Sequence, residues 1–238
     1  MEPPDLANLD HDDPFDLFDV EARRLDRFFG SRDEAGWRRP SRCAGWAVRD
    51  VLAHLAGEEA YNHACLDGTV EELFARLERA GAPGGLAGFN EWCVQQRRDL
   101  PVVEVLEEWR EANQLTRRRM RERGRDAVLA TAAGPYPVGL QTFHYSSELA
   151  THADDVSAPV APAEEPGRTG WRARVGRFVL AEQGRPVRVV PAGAAFEVRA
   201  DGVSAVLPAP EFVAATVARL PDDHPLDHRL RTALACLA

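Results

Sequence analysis

Apolar residues recur along the first two thirds of the chain at the spacing of helices. Phe15, Phe18, Leu25, Phe28 and Phe29 return every few residues, with Pro14 behind Asp12 and Asp13 at one end and Gly30 at the other. Aspartate caps a helix, proline suits its first position and glycine stops it, so this stretch predicts a helix from about residue 14 to 30. A second helix is predicted from about 47 to 66, where Val48, Val51, Leu52, Leu55 and Tyr61 supply the buried stripe. A third region is broken: 70–77 reads helical, Ala80-Gly-Ala-Pro83-Gly-Gly85 interrupts it, and 89–98 resumes. Pro101 opens a long helix through Leu106, Trp109, Leu115 and Met120 to Gly124, and a further one runs from about Val138 to Val156. Between these elements, 31–46 and 124–138 read as connectors because Pro40, Gly45, Gly134 and Pro137 oppose regular helix. Trp37 and Trp46, either side of a tight loop, are expected to plug one end of a bundle.

The texture changes after a Pro- and Ala-rich linker at 158–167. A short amphipathic helix is predicted at 171–182 and short strands at 187–190, 195–199 and 203–207, with helices again at 211–220 and 226–237. The expected architecture is mainly α: a four-helix bundle over residues 12–156, followed by a small α+β domain over 168–238. A domain of about 70 residues is marginal alone, so it is expected to dock on the bundle.

Charge and composition narrow the function. The net charge of −9 and the lack of a long basic block argue against a nucleic-acid partner. Arg117-Arg-Arg119 shares its helix with Glu104, Glu107, Glu108 and Glu111, so it reads as a solvated face with helical ion pairs. All 29 basic residues are arginine, which excludes a lysine Schiff base and a P-loop lysine. The acidic start is no signal peptide, and no apolar run reaches membrane-spanning length. With four cysteines lacking CxxC spacing, these features point to the cytoplasm and to free thiols. Cys65, Cys93 and Cys236 read as small buried hydrophobes.

The candidate chemistry lies in His144-Tyr-Ser-Ser-Glu148-Leu-Ala-Thr-His152-Ala-Asp-Asp155. On a helix His144, Glu148 and His152 share one face, and a carboxylate and an imidazole one turn apart can grip one divalent cation. His54, in the apolar run Val51-Leu-Ala-His54-Leu-Ala, is the natural third ligand. Two histidines and a carboxylate leave open positions, as catalytic zinc sites do. Spacing alone leaves a metal site and satisfied core histidines equally open. His144 is either a fourth ligand, an outer partner of the site or a helix-face histidine, and Glu58, one turn from His54, is similarly ambiguous. Asp155 is placed either to hold the remote N–H of His152 or to face solvent at the helix end. Ser146 and Ser147 lack a placed base and read as helix surface. Cys43 is expected to pack in its loop, with a minor candidacy as nucleophile. HExxH, GxSxG, GxGxxG and GxxxxGK[ST] are all missing.

Pro40-Ser41-Arg42-Cys43-Ala44-Gly45-Trp46 running into Val48-Arg49-Asp50-Val51-Leu52-Ala53-His54-Leu55-Ala56-Gly57, with Glu148-Leu-Ala-Thr-His152-Ala-Asp-Asp155 some 90 residues later, resembles the mycothiol-dependent maleylpyruvate isomerase family of the DinB-like metalloenzyme superfamily. The resemblance covers most of 12–156 and extends more weakly over the C-terminal domain. It implies a DinB-like four-helix bundle holding a divalent ion, zinc in the namesake isomerases, on His54, Glu148 and His152. It also implies mycothiol as thiol co-substrate and an arginine from the C-terminal domain, for which Arg219 is the nearest match. Ala47 departs from the usual threonine, which would cap the second helix.

The expected function is therefore a metal- and thiol-dependent enzyme acting on an electrophilic small molecule, as S-transferase or cis–trans isomerase of maleylpyruvate type. The alternatives are a metal-dependent hydrolase that uses activated water without thiol, and a non-catalytic ligand-binding bundle. A monomer or homodimer is expected.

Overall fold

The structure, a computed structural model, describes residues 9–82 and 84–237, with the backbone alone for 85–87. It divides into two compact units, one of Pro14–Pro159 and the other chiefly of Val160–Ala238.

The first unit is a four-helix bundle of α1 (Pro14–Gly30), α3 (Val48–Asp67), α6 (Val102–Arg123) and α7 (Val138–Asp155). α1 packs on α7 and α6, and α3 packs on α6. The stripes read from the sequence meet in its centre: Phe18, Leu25 and Phe29 of α1, Val51, Leu52 and Leu55 of α3, Trp109 and Met120 of α6, and Leu149 of α7 are all buried. Each such side chain contributes about 1.5–3 kcal/mol by leaving water. Phe29 links two tryptophans, standing edge-on to Trp109 and stacking on Trp37, each with ring centroids 5.7 Å apart. The basic face of α6 is tied mainly to other helices rather than to its own glutamates. Arg117 pairs with Asp19, Arg119 with Asp67, and Arg121 with both Asp16 and Asp19.

α4 (Val70–Arg79) and α5 (Gly85–Arg97) form the broken third region, and both pack on α3. Pro83, part of the expected break, lies outside the described residues. α5 starts four residues before the predicted point, with Gly84 as its N-cap.

Both connectors hold structure that the sequence reading missed. Within 31–46 a one-turn helix, α2 (Glu34–Trp37), forms because the Asp33 carboxylate accepts from the Gly36 N–H at 2.7 Å. Within 124–138, β1 (Val128–Thr131) and β2 (Gly134–Pro137) make an antiparallel hairpin. Pro135 and Pro137 are tolerated because each strand of a two-stranded sheet has a free edge.

The second unit contains α8 (Glu165–Glu182), the antiparallel sheet β3 (Arg188–Ala192), β4 (Ala195–Ala200) and β5 (Val203–Pro208), then α9 (Ala209–Thr216) and α10 (His228–Leu234). The three strands match the predicted ones. α8 begins six residues earlier than predicted. Pro166 sits in its first turn, where a missing N–H costs nothing, so this proline starts a helix instead of marking a linker. α9 ends at Thr216 rather than near 220 because Ala218 turns the chain with φ +52°. The whole is a mainly α protein, a four-helix bundle followed by a small α+β unit. No described helix is long and apolar enough to cross a membrane.

Candidate metal centre

α3 and α7 bring the candidate ligands together. His54 lies on the apolar stripe of α3 beside Val51 and Leu55 and is 1% exposed. Glu148, His152 and Asp155 follow one another at helical spacing on α7, which is buried along most of its length. Ser146 and Ser147 are buried too, contrary to their reading as helix surface. The Ser146 hydroxyl donates to the Thr142 carbonyl at 2.8 Å and lies 3.3 Å from the Pro14 carbonyl, so a small, internally satisfied side chain lets α1 approach α7.

One carboxylate oxygen sits between the two imidazoles. Glu148 Oε1 is 3.4 Å from His54 Nε2 and 4.0 Å from His152 Nε2, and the rings stand 4.9 Å apart at 69°. The three donor atoms all lie within 4.8 Å of one another. Tetrahedral zinc with bonds of about 2.0–2.2 Å needs its N and O donors roughly 3.3–3.5 Å apart, so the cluster fits a divalent ion with small adjustment. The donor chemistry fits as well: two imidazoles and one carboxylate, with Glu148 reaching an opening at 29% side-chain exposure. His54 Nδ1 is buried without a hydrogen-bond partner. The ring is thus held from its Nε2 side, where Glu58 Oε2 also lies at 3.9 Å.

The surroundings polarise the cluster. Asp155, 2% exposed, places Oδ2 3.2 Å from His152 Nδ1. Burial works against a charged His152, but the hydrogen bonds to Asp155 and Cys43 and the Glu148 charge outweigh it and raise the imidazole to about 9. His54 moves the other way: burial lowers it, and the Glu148 hydrogen bond only partly offsets this. Burial also opposes ionisation of Glu148, yet the His54 and Glu58 hydrogen bonds hold its carboxyl at about 2. Glu58 is pushed well above the ordinary carboxylate range, by burial first and by the neighbouring Glu148 charge second. The two neighbouring glutamates are thus pushed in opposite directions, Glu58 upward and Glu148 downward.

Other residues singled out from the sequence lie elsewhere. His144 Nε2 faces the Tyr136 hydroxyl at 3.2 Å and belongs to neither of the two groups of three potential metal donors among the described residues, His54–Glu148–His152 and Cys43–His152–Asp155. Arg219 belongs to the second unit, in the turn after α9, where its N–H donates to the Ala214 carbonyl at 2.7 Å. Cys65, Cys93 and Cys236 are buried, and none of the four cysteines forms a disulfide.

Two neighbours of the ligands were not legible as such. Trp46, expected as a plug, tilts over His54 with centroids 5.2 Å apart, and its Nε1–H donates to Glu91 at 3.3 Å. Cys43 packs against the core and also reaches Asp155, 3.2 Å from Oδ2. The one sequence signal for either was that the Cys43–Trp46 loop runs straight into the His54 helix.

A family model described as mycothiol maleylpyruvate isomerase N-terminal domain matches residues 18–157, which include His54, Glu148, His152 and Asp155. A crystal structure of the mycothiol-dependent maleylpyruvate isomerase is similar with a TM-score of 0.60 and 16% identity, over 88% of this chain and 89% of that one. A histidine-to-alanine mutant of the mycothiol-dependent maleylpyruvate isomerase aligns with a TM-score of 0.50 and 17% identity, over 71% of this chain and 67% of the other. At such identities the likeness is one of fold, a DinB-like bundle with a small α+β unit. No curated protein matches the chain.

Proposed function

The chain belongs to the mycothiol maleylpyruvate isomerase N-terminal domain family, and from that premise we propose that it is a cytoplasmic, metal-dependent enzyme that uses mycothiol on an electrophilic small molecule. The observation that carries this reading is the convergence of His54 Nε2 and His152 Nε2 on Glu148 Oε1, at 3.4 and 4.0 Å. Zinc suits two imidazoles, one carboxylate and open positions, as in catalytic zinc sites. When bound, such an ion lowers the pKa of a coordinated thiol, making a thiolate available at neutral pH.

The side chains divide the remaining work. His54, Glu148 and His152 hold the ion. With an ion bound, Asp155 would accept the Nδ1–H of a neutral His152 and so turn its Nε2 lone pair to the metal. Glu58 stands beside the ligands, with Oε2 3.9 Å from His54 Nε2. Trp46 covers His54 and keeps water from that side of the ring. The thiolate adds to an activated double bond of the acceptor. Rotation about the resulting single bond and loss of the thiolate give cis–trans isomerisation, whereas protonation of the adduct gives S-transfer. Arg219 is the candidate for binding a carboxylate of substrate or thiol.

The test is to incubate metal-loaded protein with mycothiol and a panel of electrophiles, maleylpyruvate included, and read products by mass spectrometry beside His152→Ala. Isomer or thiol adduct from the wild type alone is the expected outcome. Turnover without thiol would favour a hydrolase. Full metal retention by both His54→Ala and His152→Ala would remove the three-ligand site.

A further inference from the structure

Loop 40–46 is more ordered than a connector requires. The Ser41 N–H and hydroxyl both donate to the Trp46 carbonyl, at 2.9 and 2.8 Å, while Ser41 Oγ accepts from the Cys43 N–H at 3.1 Å. The Trp46 N–H closes a turn onto the Cys43 carbonyl at 3.0 Å, with Gly45 at φ +80°, a conformation that side chains disfavour. The loop is fastened to the end of α7 by the Arg42 N–H, which donates to the Asp155 carbonyl at 2.9 Å. This leaves Cys43 Sγ 3.2 Å from Asp155 Oδ2 and 3.8 Å from His152 Nδ1.

We propose that Cys43 is a positioning residue: its thiol donates to Asp155 Oδ2, and through that carboxylate it fixes the orientation of the His152 imidazole. The inference rests on the reading of His152 as a metal ligand. An ionised carboxylate is acceptor-only, and each donor it takes restricts its terminal torsion further. Here the Cys43 thiol and the His152 N–H converge on the same oxygen, each at 3.2 Å, and two donors on one atom pin it. The direction of the His152 Nε2 lone pair follows from where that oxygen sits. Asp155 is buried, so water does not readily replace a lost donor. Loop 40–46 thus touches both imidazoles, His152 through Cys43 and Asp155, and His54 through the Trp46 ring.

Outer partners of metal-bound histidines typically change affinity 10–100-fold, which sets the scale of the test. Zinc affinity is measured by competition with a chromogenic chelator for the wild type, Cys43→Ala, Cys43→Ser, Asp155→Asn and the Cys43→Ala/Asp155→Asn double variant. Cys43→Ala is expected to bind zinc about tenfold more weakly, at the low end of the range for such partners. Cys43→Ser, which keeps a donor, should recover most of the loss, and the double variant should bind no more weakly than Asp155→Asn alone. Wild-type affinity in Cys43→Ala, or equal losses from Cys43→Ala with and without Asp155→Asn, would overturn the proposal. So would two zinc equivalents in the wild type with one lost in Cys43→Ala, because Cys43 would then be a ligand. In metal-free protein, the hydrogen-bonded His152 Nδ1–H is followed by 15N NMR and should be lost in Asp155→Asn and exchange faster in Cys43→Ala. If the wild type binds no zinc, the functional reading fails, and this imidazole signal still decides the role of Cys43.

Discussion

Glu59 shows how much a single residue depends on partners that local sequence does not reveal. It is adjacent to Glu58 and 3% exposed, and its carboxylate accepts from Asn113 at 2.8 Å, Thr116 at 2.5 Å and Asn62 at 3.1 Å. Burial raises its pKa, and the three hydrogen bonds oppose that rise without cancelling it. A carboxyl raised in the fold stabilises it fully below the unfolded value, and this stabilisation is lost as pH rises through the folded value. Wild-type stability relative to Glu59→Gln should therefore fall as pH rises from about 4, read from paired urea melts. A difference independent of pH would show that Glu59 titrates as an ordinary glutamate. Glu58, one residue earlier, turns toward Glu148 instead, so two adjacent carboxylates serve different faces of α3.

At the scale of elements, α5 approaches α3 closely at Gly57. A Cβ built on Gly57 would stand 2.4 Å from the Cys93 Cβ and 2.6 Å from its Sγ, so only glycine lets α5 lie this close. Gly57→Ala must push α5 away from the helix that holds His54. Overpacking of this kind costs typically 1–3 kcal/mol, which outweighs alanine's better helix propensity of about 1 kcal/mol. The expected outcome is a lower chemical-denaturation midpoint for Gly57→Ala. An unchanged or raised midpoint would mean that α5 yields without cost. At the N-terminus of α3 the Asp50 carboxylate accepts from the Ala47 N–H at 2.8 Å, the half of a capping box that an alanine at the cap leaves intact.

For the whole molecule, the proposed metal binding would be linked to folding, because the donors are assembled only when α3 and α7 pack in one unit. A ligand present at 100 times its dissociation constant stabilises by about 2.7 kcal/mol. For a protein of this size that corresponds to roughly 5–10 °C in melting temperature. Stripping zinc with a chelator should lower the melting transition by this amount in the wild type and leave His152→Ala unchanged. An equal drop in both would place the bound metal elsewhere. The net charge of −9 does not disperse the bundle, since the basic face of α6 is spent on Asp16, Asp19 and Asp67 of neighbouring helices.

What the amino-acid sequence by itself determined is whatever repeats within an element. The 3.6-residue rhythm of Phe18, Leu25, Val51, Leu52 and Trp109 marked the helices, and alternation near Val189, Val198 and Val206 marked the three strands. The spacing of His144, Glu148 and His152 put them on one helix face, because neighbours along a helix are set by its pitch alone. Tertiary structure decided what no pitch encodes. It brought Cys43 to Asp155 and Trp46 to His54, buried Ser146 against α1 and Ser147 inside the fold, sent His144 to Tyr136, and paired 128–131 with 134–137. It also turned Pro166 from a linker residue into the start of α8. Each of these depends on which faces meet once the stripes are packed, and close-packed interiors settle that through the whole set of side chains at once.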